Sequence, residues 1–177
     1  MFVHLHNHTH FSILEWLPKP KDYIKAAKAF WMPAVAITDT WNLHWCHELY
    51  KYAKEEWIKA ILWTEINILW SLDSKLTHKT VLLAKSLTWY QNIIALTSKA
   101  SLERHGNTYV TLDEIKEYSK DIICLSWPIN WEIPYYILSG QKEEKIVAKI
   151  REYEEIFEWE FYLELMYHDD IPKQKLI

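Results

Sequence analysis

The sequence predicts an α/β fold built on a parallel sheet or barrel. Two observations carry this: strand-like and helix-like segments alternate along the chain, and the strand-like segments are continuous apolar runs rather than alternating ones. The composition agrees. The chain has 177 residues, enough for one domain with a sizeable core, with 50% hydrophobic and 25% charged residues.

The elements follow in order. Residues 2–6, FVHLH, read as a short strand, followed by a polar loop through LPKP. Helical periodicity covers roughly 21–30, with Tyr23, Ile24, Ala27 and Phe30 on one face. PAVAIT (33–38) is a buried strand, 44–56 a helix, and IKAILWTEINIL (58–69) a strand. KTVLLAK (79–85) is another strand leading into a helix over 90–100. In VTLDEIKEYS (110–119), Thr111 with Glu114 three residues on forms a capping box. DIICLS (121–126) is a strand, helices follow through EIPYYIL and QKEEKIVAKIREYEEIF, and FYLELMY (161–167) is a last strand. The chain stops soon after it, so the expectation is one domain over 1–177 that is incomplete at its C-terminal side.

Net charge is −4, which offers no basic field for holding nucleic acid by electrostatics alone. Two cysteines, Cys46 and Cys124, make no disulfide framework and suit a reducing cytosol. No secretory signal and no apolar run of membrane-spanning length is visible, so the expected setting is cytoplasmic.

One ratio is out of line. There are 11 Trp and only 2 Gly, where a chain of this length ordinarily holds about 12 glycines. Trp31 and Trp57 each stand between a helical pattern and an apolar strand, the place where a left-handed residue, usually glycine, ends a helix. Trp89, Trp127 and Trp131 also fall where loop punctuation is expected. A Trp-rich core would instead follow helix or strand periodicity. The reading we adopt is UGA recoding: glycine codons rendered as tryptophan, with Gly106 and Gly140 specified by other codons.

Chemistry concentrates at the start. His4, His6, His8 and His10 alternate, so a continuing strand puts them on one face, an arrangement suited to metal ligation. Glu15, Asp39, Glu65 and His78 stand near other strand ends, which converge in a parallel α/β barrel. Histidine and carboxylate together suit first-row divalent ions rather than Ca²⁺. His10, His44, His47, His105 and His168 read as ordinary surface or loop residues. Cys46 and Cys124 read as small buried apolar residues.

FVHLHNHTHFSILEW resembles the opening motif of the PHP (polymerase and histidinol phosphatase) family, in particular that of bacterial DNA polymerase III α subunits. The likeness continues through KAAKAFWMPAVAITDTWNL, YKYAKEEWIKAILWTEINI, LTHKTVLLAKSLTWYQNIIALTSKA and DIICLSWPINWEIPYYILSG, essentially the whole chain. The resemblance implies a distorted β/α barrel, here truncated before its last strands. It implies metal ligation by His6, His8, Glu15, Glu65 and His78, with His4 and Asp39 orienting ligands from behind. Thr40 and Pro128 stand where metal-binding members carry ligands, so two ligands are lost and fewer than three ions (Zn²⁺, Mn²⁺ or Mg²⁺) are expected. By the same resemblance the complete protein is a DNA-directed DNA polymerase, a nucleotidyltransferase of DNA replication. This segment is then a partly degenerate metal-dependent phosphoesterase, similar to a 3′→5′ exonuclease. The alternatives are a metal-poor scaffold that docks a separate proofreading exonuclease, or a stand-alone phosphatase of the histidinol-phosphatase kind. The implied partners are DNA, a proofreading exonuclease subunit and other replisome subunits, with no membrane.

Overall fold

The structure, a computed structural model, describes residues 2–13, 16–71, 76–103, 108–126 and 131–164. Its elements are α1 (Pro20–Ala29), β1 (Ala34–Ile37), α2 (Cys46–Glu55), β2 (Lys59–Ser71), β3 (Leu76–Ala84), α3 (Leu87–Glu103), α4 (Leu112–Tyr118), β4 (Ile122–Ser126), α5 (Glu132–Leu138), α6 (Glu143–Ile156) and β5 (Phe161–Tyr162). The strands form one five-stranded sheet in sequence order, open among the described residues and compatible with an arc of the expected barrel.

The sheet is mixed, which corrects the expectation of an all-parallel one. β1 runs parallel to β2 and β4 to β5, but β2–β3 and β3–β4 are antiparallel. Only four residues, 72–75, separate β2 from β3, too few for a parallel crossover, so a hairpin is the available connection. The expected first strand is not a sheet strand either. Residues 4–7 run alongside β1, with Ala36 N–H donating to the His4 carbonyl (3.1 Å) and Thr38 N–H to that of Asn7 (2.6 Å). Of the expected strand 161–167, residues 165–167 lie outside the described residues.

Alternation along β2, β3 and β4 sorts their side chains onto two faces. Ile66, Ile68, Leu82 and Cys124 bury against Trp89, Ile93, Ile115, Tyr153 and Phe157 from α3, α4 and the end of α6. Trp63, Val81, Leu83 and Leu125 pack together on the other face with Ala36. α1 and α2 cover β1 through Ile24, Ala27, Leu49 and Ala53. Thr111 caps α4 as expected, its hydroxyl accepting from Glu114 N–H while Glu114 reaches back to Thr111 N–H.

The helix ends bear on the glycine question. α5 ends in Ser139 and then Gly140, at φ +68°, with Gln141 N–H donating back to the Tyr136 carbonyl (2.9 Å). This is a Schellman ending, which places a left-handed residue directly after the cap. α1 ends the same way with Trp31 at φ +56° and Met32 N–H bonded to Ala27 (2.8 Å). α2 repeats it with Trp57 at φ +59° and Ile58 N–H bonded to Ala53 (2.9 Å). Tryptophan thus occupies at two helix ends the place that glycine occupies at a third. Trp41 (φ +55°) and Trp159 (φ +69°) are left-handed as well. Other tryptophans behave differently: Trp63 lies inside β2 and Trp89 in the first turn of α3, both buried, so Trp89 is not loop punctuation. The indole nitrogens of Trp41, Trp45, Trp63 and Trp131 are buried without a hydrogen-bond partner among the described residues. A core built for tryptophan ordinarily supplies such partners.

Candidate metal centre

Three side chains converge beside the end of β1. His6 and His8 come from the segment running along β1, and Glu65 from the middle of β2. Glu65 is fixed there by its backbone: its N–H donates to the Asp39 carbonyl (3.3 Å), and its own carbonyl accepts from Trp41 N–H (2.9 Å). The Nε2 atoms of His6 and His8 are 3.3 Å apart. Glu65 Oε2 lies 3.4 Å from His8 Nε2 and 3.9 Å from His6 Nε2. All three ligand atoms fall within 4.8 Å of one another. Glu65 is fully buried and His8 nearly so.

What stands behind the imidazoles fixes which nitrogen faces the centre. His6 Nδ1 is 2.9 Å from both carboxylate oxygens of Glu164, acceptors that require Nδ1 to carry a proton. His8 Nδ1 is 3.1 Å from Ser12 Oγ, and Ser12 Oγ donates to Asp39 Oδ1 at 2.6 Å. The serine proton is therefore spent on Asp39, and His8 Nδ1 must be the donor to Ser12. Both rings thus turn Nε2 inward, the arrangement in which a carboxylate or its relay orients a metal-binding histidine. Asp39 is itself locked, accepting from Thr9 N–H (2.6 Å) and Thr9 Oγ1 (2.5 Å) as well.

Without an ion, the electrostatics hold a proton at the centre instead. Burial alone would lower the pKa of His6, but hydrogen bonds to Glu164 and Glu65 outweigh it and raise it to about 9. Burial likewise pushes the Glu65 carboxyl up, but His6, His8 and Lys79 outweigh it and hold it at about 2. Glu65 Oε2 makes no well-aligned hydrogen bond among the described residues, its neighbours being His8 Nε2 at 3.4 Å and His6 Nε2 at 3.9 Å. A buried carboxylate oxygen facing two inward ring nitrogens is a place where a proton or a metal ion can be shared among the three. The two-imidazole, one-carboxylate set fits a first-row divalent ion.

The expected residues fare unequally. His6, His8 and Glu65 are brought together, and Asp39 orients His8 through Ser12. Glu15 and Pro128 lie outside the described residues. Thr40 sits at the centre, its hydroxyl donating to Glu65 Oε1 at 3.1 Å. His4 is exposed, with its ring edge-on to Phe2 at 4.8 Å, so it backs no ligand in this geometry. His78 is not brought to the centre. It faces the helices, with Nε2 2.8 Å from the Tyr153 hydroxyl, and burial lowers its pKa to about 3. The reason is register: Val81 lies opposite Glu65 on the inner face, so Lys79 shares that face and His78 takes the other. Lys79 Nζ stands 2.7 Å from Glu65 Oε1.

Lys79, Glu164 and Ser12 are the residues that sequence reasoning missed. Counting by twos from the apolar inner positions Val81 and Leu83 finds Lys79. Glu164, an acid within the apolar run FYLELMY, carried a weaker signal. Cys46 and Cys124 are buried and unbridged, as expected.

The family model described as PHP domain matches residues 4–168. The DNA polymerase III subunit alpha of Borreliella burgdorferi is 33% identical over 99% of this chain, which spans 16% of that protein. That of Helicobacter pylori is 35% identical over 94%, spanning 15%, and that of Thermus aquaticus 33% over 99%, also spanning 15%. The chain thus covers about a sixth of the length of these relatives. Among solved structures, an amidohydrolase from Chromobacterium violaceum aligns with TM-score 0.45 and 15% identity over 85% of this chain and 43% of that one. A putative metal-dependent phosphoesterase from Bifidobacterium adolescentis aligns with TM-score 0.43 and 19% identity, over 81% and 45%.

Proposed function

The chain belongs to the PHP domain family, and from that premise we propose that it is the PHP domain of a bacterial DNA polymerase III α subunit. The complete protein is then a DNA-directed DNA polymerase. This segment is its partly degenerate metal-dependent phosphoesterase, acting in the manner of a 3′→5′ exonuclease. The observation that carries the reading is the convergence of His6 Nε2, His8 Nε2 and the buried Oε2 of Glu65 within 4.8 Å of one another.

His6, His8 and Glu65 would hold the ion, which, once bound, supplies activated water and charge stabilisation for a phosphoester. Glu164 fixes the His6 ring and keeps its proton on Nδ1. Asp39, through Ser12, does the same for His8. Buried Glu65 keeps its charge because His6, His8 and Lys79 surround it. Glu15 adds a further ligand in this reading, and the centre holds fewer than three ions, Zn²⁺, Mn²⁺ or Mg²⁺. Glycine stands in the native protein at the left-handed tryptophans, Trp41 of the site loop among them. DNA and replisome subunits are the partners and the cytoplasm the setting; among the described residues no helix is long and apolar enough to cross a membrane.

The test is elemental analysis of the full-length protein together with release of nucleotides from a 3′-labelled single strand, repeated for Glu65→Gln. The expected result is one or two ions and a phosphodiesterase activity that chelator and Glu65→Gln both abolish. Three tightly held ions would overturn the partial degeneracy, and activity indifferent to Glu65→Gln would overturn the assignment of the centre. The second reading, a metal-poor scaffold for a separate proofreading exonuclease, is favoured by Thr40 and Lys79 on Glu65. It expects no activity in either protein and an exonuclease subunit that co-purifies with both.

A further inference from the structure

Lys79 stands at this centre as neither a candidate ligand nor the partner of a ligand ring. The β2–β3 register fixes its place: Thr80 and His78 face the helices, so Lys79 must face Glu65, opposite Asn67. Its ammonium lies 2.7 Å from Glu65 Oε1, the oxygen that also accepts from Thr40. Oε2 is the oxygen turned to the imidazoles. The carboxylate is therefore divided, one oxygen toward the ligand nitrogens and the other already matched to a positive charge.

We infer that Lys79 is a built-in cation of this centre, neutralising Glu65 in place of a metal ion and competing with any ion that enters. The inference rests on the reading of His6, His8 and Glu65 as ligands. A fully buried carboxylate needs a compensating charge in the folded chain, and Lys79 supplies one without an ion. An entering divalent ion meets an ammonium within the same few ångströms, and like charges at such separations repel strongly in a poorly solvated site. The Lys79 side chain is 30% exposed. Its flexible four-carbon stem therefore lets the ammonium swing into water when an ion arrives, where it is readily hydrated. Lys79 thus acts as a displaceable occupant that weakens metal affinity, and an arginine in its place would do the same.

The experiment compares Mn²⁺ binding by isothermal titration calorimetry in the full-length protein and its Lys79→Met and Lys79→Arg variants. Lys79→Met removes the charge and retains most of the stem. It is expected to bind at least tenfold more tightly than the unmodified protein, while Lys79→Arg gains nothing; tenfold corresponds to about 1.4 kcal/mol. Equal affinity in the unmodified protein and Lys79→Met overturns this inference alone. Absence of Mn²⁺ binding at His6, His8 and Glu65 in every protein, including Lys79→Met, overturns the metal reading with it. Should Lys79→Met fail to fold, the unmodified protein still decides. Acetylation of Lys79 by an amine reagent, followed by peptide mass spectrometry, is expected to accelerate severalfold when Mn²⁺ saturates the site. An unchanged rate at saturation overturns the inference.

Discussion

Trp57 holds its backbone at φ +59° with 96% of its surface in solvent, so replacing it with glycine removes almost no packing. A left-handed backbone costs a residue bearing a Cβ about 1–2 kcal/mol. Glycine's greater freedom in the unfolded chain takes back about 0.5–1 kcal/mol. Trp57→Gly is therefore expected to stabilise the fold by about 0.5–1 kcal/mol. Trp31→Gly, at φ +56° and 88% exposure, is expected to do the same. For a domain of this size each 1 kcal/mol moves Tm by roughly 2–4 °C. The assay is urea unfolding followed by far-ultraviolet circular dichroism, which does not depend on the deleted indole. Trp57→Ala is the control, since it removes the same indole and keeps the Cβ that makes the conformation costly. Glycine should exceed alanine by about 0.5–1 kcal/mol, the reverse of the order found in a helix interior. Alanine equal to or better than glycine would refute the strain argument. Peptide mass spectrometry of the protein from its native source then reads positions 31, 41 and 57 directly: glycine is expected, and tryptophan at all three would end the recoding reading.

Three further outcomes follow from the geometry. Buried His78, held near pKa 3 against 6.5 in an unfolded chain, stays neutral where the unfolded chain takes up a proton. Its stabilising effect is complete above pH 6.5 and lost as pH falls toward 3, by about 2 kcal/mol between pH 7 and 5. His78→Phe should flatten that slope in urea titrations, and an equally steep slope would show that another group carries it. Asp39→Ala strands the donors of Thr9 and Ser12 and should cost about 3 kcal/mol or more, with metal affinity falling because His8 is no longer oriented. Loss of stability with unchanged Mn²⁺ affinity would break the link drawn through Ser12. Thr111→Ala deprives Glu114 N–H of its acceptor and should cost about 1 kcal/mol, measured by the same unfolding curve; no loss would mean water replaces the cap.

The sequence shows the elements better than their pairing. Residues 58–69 and 79–85 read as buried apolar strands, and so they are, but an apolar run has the same appearance in a parallel or an antiparallel ladder. The four-residue gap, not the strand composition, decides between them. His6 and His8 were legible because both sit on one short segment whose spacing declares a shared face. His78 was misplaced by a single step, since a strand reverses every side chain on a one-residue shift and a histidine next to a lysine gives no sign of which faces inward. Asp39 was legible as a carboxylate at a strand end, although its action through Ser12 depends on a loop that only the folded chain brings near. Glu164 was not legible as the partner of His6, because no local pattern joins residues 158 positions apart.

That last separation has a consequence for how the protein is made. A ribosome delivers the N-terminal end first, at about 5–20 residues per second, so Glu164 emerges roughly 8–32 s after His6. Throughout that interval the His6 ring lacks the carboxylate that sets the proton on its Nδ1. The His6–Glu164 bond is thus a contact that waits on a residue made 158 positions after its partner.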